Sequence, residues 1–185
     1  MAGSLPTFDR RVSVIVVSYN TSAMTRECLR TLLADLDGSE AEVIVVDNAS
    51  ADGSAAAIAE EFGPRVRLIV NDRNAGFGAA NNLAMREARG RYFLLLNSDA
   101  FVRPGAVGKL VRYLEQNASV GVVGPRLLNA DGSLQMSCYR FPSPLRAVCE
   151  NFLLTAAFPN SRWVGDYRAW PHDHERDVEV VIGAC

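Results

Sequence analysis

The strongest constraint in this chain is an alternation. Four short apolar runs, Val12 to Ser18, Glu42 to Asp47, Val66 to Val70 and Tyr92 to Leu96, are separated by segments whose apolar residues recur at helical spacing. The first two runs, VSVIVVS and EVIVVD, are almost continuous in β-branched residues. A run without polar alternation describes a strand covered on both faces, as in a parallel sheet. Between the runs, Ala23 to Ala34 carries Met24, Cys28, Leu29, Leu32 and Leu33 on one helical face, with Ser22 in position to cap it. Asp52 or Ser54 can cap a second helix ending at Phe62, and Gly76 to Ala88 reads as a third. Pro104 can open a fourth, carrying Val107, Leu110, Val111 and Leu114. Strand followed by helix four times over is the pattern of βαβ units. The expected fold class is therefore α/β, a Rossmann-like, mostly parallel sheet with helices on both faces.

Past the fourth helix the pattern loosens. Val120 to Val123 reads as a fifth strand. The turn Asn129-Ala130-Asp131-Gly132-Ser133 predicts a hairpin between Arg126–Leu128 and Leu134–Tyr139. Leu145 to Phe158 reads as a helix packed into a core. With only Arg146 and Glu150 as charges it lacks the basic face of a helix lying on a membrane. Residues 160–177 read as a polar loop and Val178 to Ile182 as a last strand. His172-Asp173-His174 has too few neighbouring ligands for a metal site and reads as a solvated loop.

Composition narrows the function classes. A net charge of -2 argues against a nucleic-acid partner, which needs a basic face. No apolar run approaches the ~20 residues of a spanning helix, and Met1 to Arg11 lacks a signal-peptide core. The expectation is a cytoplasmic protein, a location compatible with peripheral attachment to the inner face of the membrane. Cys28, Cys138, Cys149 and Cys185 match no zinc module and read as free thiols.

In open parallel sheets ligands bind beyond the carboxyl ends of the strands. The residues there form four polar clusters, Ser18-Tyr19-Asn20, Asp47-Asn48, Asn71 to Gly76 and Asn97-Ser98-Asp99. Asp99 can hold a divalent cation that bridges the phosphates of a nucleotide diphosphate, or it can cap a turn. Asp47 can accept from a ribose or a base N–H, or form an Asx turn. Gly76-Phe77-Gly78-Ala79-Ala80-Asn81 falls one glycine short of G-x-G-x-x-G and can present backbone N–H groups to phosphate, or serve only as a tight turn. In a dinucleotide oxidoreductase that fingerprint follows the first strand, not the third.

Together, Val17-Ser18-Tyr19-Asn20, Val46-Asp47-Asn48-Ala49-Ser50 with Asp52-Gly53-Ser54, Asn74-Ala75-Gly76-Phe77-Gly78 with Asn81, and Leu95-Leu96-Asn97-Ser98-Asp99 resemble glycosyltransferase family 2, in particular its rhamnosyltransferase-like members with the GT-A fold. The resemblance is strong over 11–128 and weaker through Asp131-Gly132-Ser133 and Gly183-Ala184-Cys185. It implies a tail at 1–10, a nucleotide-sugar-binding core at 11–128 and the start of an acceptor-side region at 129–185. It also implies transfer of a sugar, with inversion, from a dTDP- or UDP-sugar to a hydroxyl of a glycan or lipid-linked acceptor in cell-envelope polysaccharide synthesis. Ser18, Tyr19, Asn20, Asp47, Asn74, Gly76, Asn81 and Asn97 would contact the donor, and Asp99 would bind Mg²⁺ or Mn²⁺. Asn97 stands where the family's Asp-x-Asp motif has its first aspartate. Family members continue beyond Gly-Ala-Cys into a segment with an acidic pair that supplies the general base. No carboxylate here matches that pair, so the resemblance leaves the catalytic base unassigned, and a non-catalytic nucleotide-binding fragment and a dinucleotide-dependent oxidoreductase are the alternative readings.

Overall fold

A computed structural model describes residues 10–158, 161, 170 and 172–182. These divide into two compact units, one reaching Gly121 and the other starting at Val122.

The first unit is built on four parallel strands: β1 (Arg10–Ser18), β2 (Ala41–Asp47), β3 (Arg67–Val70) and β4 (Gly90–Asn97), in the order β3-β2-β1-β4. The helices are α1 (Ser22–Asp35), α2 (Ser54–Phe62), α3 (Phe77–Glu87) and α4 (Ala106–Gln116). All four apolar runs are strands, each within two residues of its expected ends. The two central ones are covered on both faces, as their unbroken β-branched sequence requires: Val14, Ile15, Val16, Ile44, Val45 and Val46 have no exposed surface. Alternation along each strand divides them between two cores. Val12, Val14, Val16, Val43 and Val45 pack with Cys28, Leu29 and Leu32 of α1, Ile58 and Phe62 of α2, and Val107 and Val111 of α4. Ile15, Val17, Ile44 and Val46 pack on the other face with Ala80 and Ala84 of α3. Helices on both faces are thus observed. At the amino edge of the sheet, a Cβ on Gly90 would stand 2.4 Å from the backbone nitrogen of Ser13, so only glycine allows β4 that close to β1.

Three helix starts differ from expectation. The N-cap position of α1 is Thr21, and Ser22 is already helical. That of α2 is Gly53, between the two expected caps, and Ser54 is already helical. The fourth helix begins at Ala106 behind Gly105 rather than at Pro104, because the Asp35 carboxylate collects the Gly105 and Val107 N–H groups and fixes the start there.

The second unit holds only two-residue strands. β5 (Leu127–Leu128) pairs antiparallel with β6 (Leu134–Gln135) around the expected turn. The far arm of that hairpin stops at Gln135: β7 (Cys138–Tyr139) pairs instead with β8 (Val180–Val181), the core of the expected last strand. The expected fifth strand at 120–123 is irregular. Its only apolar side chains are valines flanking Gly121, and Val122 is 78% exposed, so neither face is buried. The expected long helix is two, α5 (Pro144–Asn151) and α6 (Leu154–Ala157), broken at Leu153 with φ +57°. Cys149 is buried, but Val148, Phe152, Leu153 and Phe158 are exposed, so these helices are not packed all round. His172 also departs from the solvated loop expected. It is buried, stacked on Trp170 at 4.1 Å, and its Nδ1–H donates to the Trp170 carbonyl at 2.7 Å. Cys28, Cys138 and Cys149 are free thiols. Among the described residues no helix is long and apolar enough to cross a membrane.

Candidate functional site

Strand register brings the polar strand ends to one edge. Ser18 lies opposite Asp47, Val17 opposite Asn97, and Asp47 opposite Val70. The chain steps outward from β1 through β2 to β3, then returns to β4 on the other side of β1. The switch point therefore falls between β1 and β4, where the turns Ser18–Ser22 and Asn97–Asp99 face each other. Thr21 Oγ1 donates to Ser98 Oγ at 3.2 Å across that gap.

Asp99 is exposed just past β4, and its carboxylate makes no hydrogen bond with a described residue. It does not cap a turn in this structure. Beneath it, the Cys28 thiol donates to the Asn97 carbonyl at 3.5 Å. Burial, with the Asp99 carboxylate as a second cause, pushes that thiol up to about 12. Among the described residues no three His, Cys, Asp or Glu side chains converge as a metal cage. One free carboxylate at the switch point suits a hard divalent ion whose remaining ligands are phosphate oxygens and water, and does not suit an all-protein site.

Asp47 is buried at the end of β2. One oxygen, Oδ2, accepts the N–H of Ser50, three residues on, at 2.9 Å and so braces the turn, where the expected Asx turn would have taken the N–H two residues on. The other, Oδ1, is buried without a partner. A carboxylate oxygen in that state is costly, so a donor arriving with a ligand would relieve it. Asn48, also buried, organises the loop before α3. Its Nδ2 donates to Asn74 Oδ1 at 2.7 Å, and its Oδ1 accepts from Asn71 Nδ2 at 3.0 Å and the Ala75 N–H at 3.1 Å. Asn74 Oδ1 accepts as well from the Gly76 N–H at 2.9 Å. Gly76, at φ +83° and ψ 163°, occupies backbone space nearly closed to other residues, which lets the loop turn directly into α3. Asn81 is buried on α3, with Nδ2 donating to the Phe77 carbonyl and Oδ1 unpartnered.

The remaining expected contacts divide. Tyr19 and Asn20 are exposed and Asn97 is partly buried at the switch point. Ser18 has no exposed surface; its Oγ bonds Thr25 Oγ1 at 2.9 Å and fastens α1 to β1, so its side chain lies below the site and not in it. The sequence reading placed Asn48 and Ser98 at the strand ends but gave them no role, and it missed the bonds of Ser50 to Asn20 and of Asp52 to α1. Each is a short polar residue in a turn, and the signal for it was that two such turns end neighbouring strands. The glycine-bearing turn follows β3, whereas Ser18 to Ser22 after β1 holds no glycine. The dinucleotide fingerprint is therefore absent from its working position.

The architecture is an open parallel α/β sheet with Asp47 and Asp99 beyond its strand ends, Asp99 beside the switch point. The chain belongs to glycosyl transferase family 2, whose model matches residues 13–160. The succinoglycan biosynthesis protein ExoO of Rhizobium meliloti (strain 1021) is 37% identical over 127 residues, covering 68% of this chain and 36% of the relative. An N-acetylglucosaminyl-diphospho-decaprenol L-rhamnosyltransferase of Mycobacterium tuberculosis (strain ATCC 25618 / H37Rv) is 26% identical over 184 residues, covering 93% of this chain and 59% of the relative. The chain thus spans less than two thirds of either relative. Among solved structures, the mannosyltransferase PcManGT from Pyrobaculum calidifontis, in complex with GDP-Man and Mn²⁺, superposes with a TM-score of 0.54 at 28% identity, covering 66% of this chain and 37% of that one. S. aureus TarS 1-349 in complex with UDP-GlcNAc gives 0.51 at 25% identity, covering 66% and 41%. The fold is the GT-A arrangement of these glycosyltransferases.

Proposed function

We propose that this chain forms the donor site of a glycosyltransferase that moves a sugar from a nucleoside-diphosphate sugar to an acceptor hydroxyl with inversion, in the synthesis of a cell-envelope polysaccharide at the cytoplasmic side of the membrane. The observation that carries this reading is the spare acceptor capacity at the sheet's carboxyl edge: the Asp99 carboxylate beside the switch point, which makes no hydrogen bond with a described residue, and the unpartnered Asp47 Oδ1. Asp47 Oδ1 would take a base N–H. Uracil and thymine present one on the pyrimidine edge, which supports a UDP- or dTDP-sugar. Tyr19 and Asn20 would flank the nucleoside, with Asn97 and the Gly76 turn toward the diphosphate. Asp99 would hold Mg²⁺ or Mn²⁺, which when bound neutralises charge developing on the departing diphosphate. The acceptor oxygen attacks the anomeric carbon on the face opposite the leaving group, and its proton passes to a base not assigned to any residue of this chain. The relatives' names, a succinoglycan biosynthesis protein and a rhamnosyltransferase acting on a diphospho-decaprenol, support a glycan or lipid-linked acceptor.

The test is calorimetric titration of the chain with UDP and dTDP, with and without Mn²⁺, repeated on Asp99→Ala. The expected result is metal-dependent binding that the substitution removes. A folded chain that binds neither nucleotide would sink the donor-site reading; binding indifferent to Mn²⁺ and to Asp99 would remove the metal role.

A further inference from the structure

The turn after β1 carries two of the proposed donor contacts, Tyr19 and Asn20, and is bonded from outside itself. Asn20 sits at φ +54°, a left-handed conformation that asparagine tolerates better than most L residues and that contacts from outside the turn hold in place here. Those contacts come from the turn after β2. The Asn20 N–H donates to Ser50 Oγ at 2.9 Å, and Asn20 Oδ1 accepts the Ala51 N–H at 2.8 Å. The third bond is the most consequential. Asp52 Oδ2 accepts the N–H of Ser22, the first residue of α1, at 2.9 Å. Through Oδ1 the same carboxylate accepts the Ser54 N–H at 3.0 Å and the Ser54 hydroxyl at the start of α2. One side chain thus serves two helix N-termini, and neither helix has a side-chain cap at its own N-cap position. A carboxylate suits this place, since both helix ends present positive partial charge. The Thr21–Ser98 bond then ties the turn to the segment that carries Asp99.

We propose, resting on the donor-site reading above, that Asp52 is a positioning residue for the nucleotide site. It clasps the turn after β1 to the turn after β2, and so sets Tyr19 and Asn20 against the nucleoside and Ser98 beside Asp99. It touches no substrate. Its contribution is preorganisation: without the clasp the competent arrangement of the Tyr19–Thr21 turn becomes a minor one, and the nucleotide must restore it on binding.

The experiment compares the wild-type chain with Asp52→Ala, Asp52→Asn and Asp131→Ala, in UDP titration with Mn²⁺ and in amide hydrogen exchange across Tyr19–Ser22. Asp131 is the matched control, because it forms the same Asp-Gly-Ser turn in the other unit without reaching a second helix. Asp52→Ala should weaken UDP roughly tenfold, the rise expected if the competent turn falls to about a tenth of the population. It should also speed exchange at Asn20 and Ser22. Asp52→Asn keeps a neutral acceptor oxygen and should fall between, which carries the test if the alanine variant does not fold. Asp131→Ala should change neither readout. UDP affinity in a folded Asp52→Ala chain equal to wild type, or unchanged exchange at Ser22, would overturn the proposal alone. A folded wild-type chain that binds no UDP would overturn the donor-site reading and this proposal with it.

Discussion

Asp-Gly-Ser stands at a turn in each of the two units, at Asp52-Gly53-Ser54 in the first and Asp131-Gly132-Ser133 in the second. Locally the two turns are the same object. The glycines take φ +80° and +83°, and in each the Asp Oδ1 accepts both the backbone N–H and the hydroxyl of the serine two residues on. Beyond that the turns part. Asp52 lies exposed in the turn after β2, beside the turn that ends the neighbouring β1, and its second oxygen finds the N–H of Ser22, thirty residues earlier in the chain. Asp131 closes a hairpin of two-residue strands, where Asn129 Nδ2 meets Ser133 Oγ at 2.8 Å and no second element is held. A third copy, Asp37-Gly38-Ser39, keeps the left-handed glycine at φ +70°, but there Ser39 turns its N–H and hydroxyl back to the Leu36 carbonyl and ends α1. The tripeptide fixes a bend. What the bend accomplishes is decided by the elements around it.

The largest expected effect tests those surroundings. Leu29, with no exposed surface, packs in the core under the first unit's turns, whereas Phe152 of the second unit is 74% exposed. Leu29→Ala should lower the unfolding free energy by about 2–5 kcal/mol. Phe152→Ala should stay within about 0.5 kcal/mol. Urea unfolding measures both, and equal losses would break the contrast between a closed core and an open one. Next in size is Asp52→Ala, which strips an acceptor from two helix ends and should cost about 1–2 kcal/mol. Asp131→Ala should cost less, since only one turn loosens. The reverse order in the same unfolding experiment would mean that the reach to Ser22 adds nothing to stability.

The same distinction explains what the sequence could disclose. Val12–Ser18 and Glu42–Asp47 were legible because unbroken β-branched runs leave no solvent face, and a parallel sheet is the structure that accepts them. The helices followed from spacing, and the polar strand ends followed from topology. In the second unit, Cys138–Tyr139 has its partner at Val180–Val181, some forty residues away, and nothing in a two-residue segment announces such a pairing. The break at Leu153 was equally silent, for leucine is a good helix former and its left-handed backbone comes from its neighbours. In the site, Asp47 and Asp99 could be named from position. That Asp47 would keep one oxygen for a turn and leave one unpartnered, or that Ser18 would turn inward to Thr25, depends on where α1 docks. So does the most informative miss. Asp52 was legible as a cap for the helix that follows it, but its bond to a helix begun thirty residues earlier is visible only once β1 and β2 lie side by side.

The smallest effect is electrostatic and separates the turns by acid. The Ser54 hydroxyl, followed by the Ser22 backbone N–H, holds the Asp52 carboxyl below the usual carboxylate range; the Ser133 hydroxyl and N–H do the same for Asp131. A carboxylate depressed in the folded state adds stability that is fully present above its unfolded value, near 4, and is lost as pH falls through the folded value. The stability difference between wild type and each alanine variant should therefore be constant from about pH 7 to 5 and shrink as the pH drops below about 4. Both groups are solvent-exposed, so screening keeps the change small. Asp52 gathers a donor from α1 that Asp131 has no counterpart for, and its difference should persist to lower pH. Urea midpoints at pH 7, 5, 4 and 3 for the three proteins make the comparison. Parallel curves would show the Ser22 bond to be indifferent to the charge on Asp52, and would leave the clasp resting on Asn20 and Ser50.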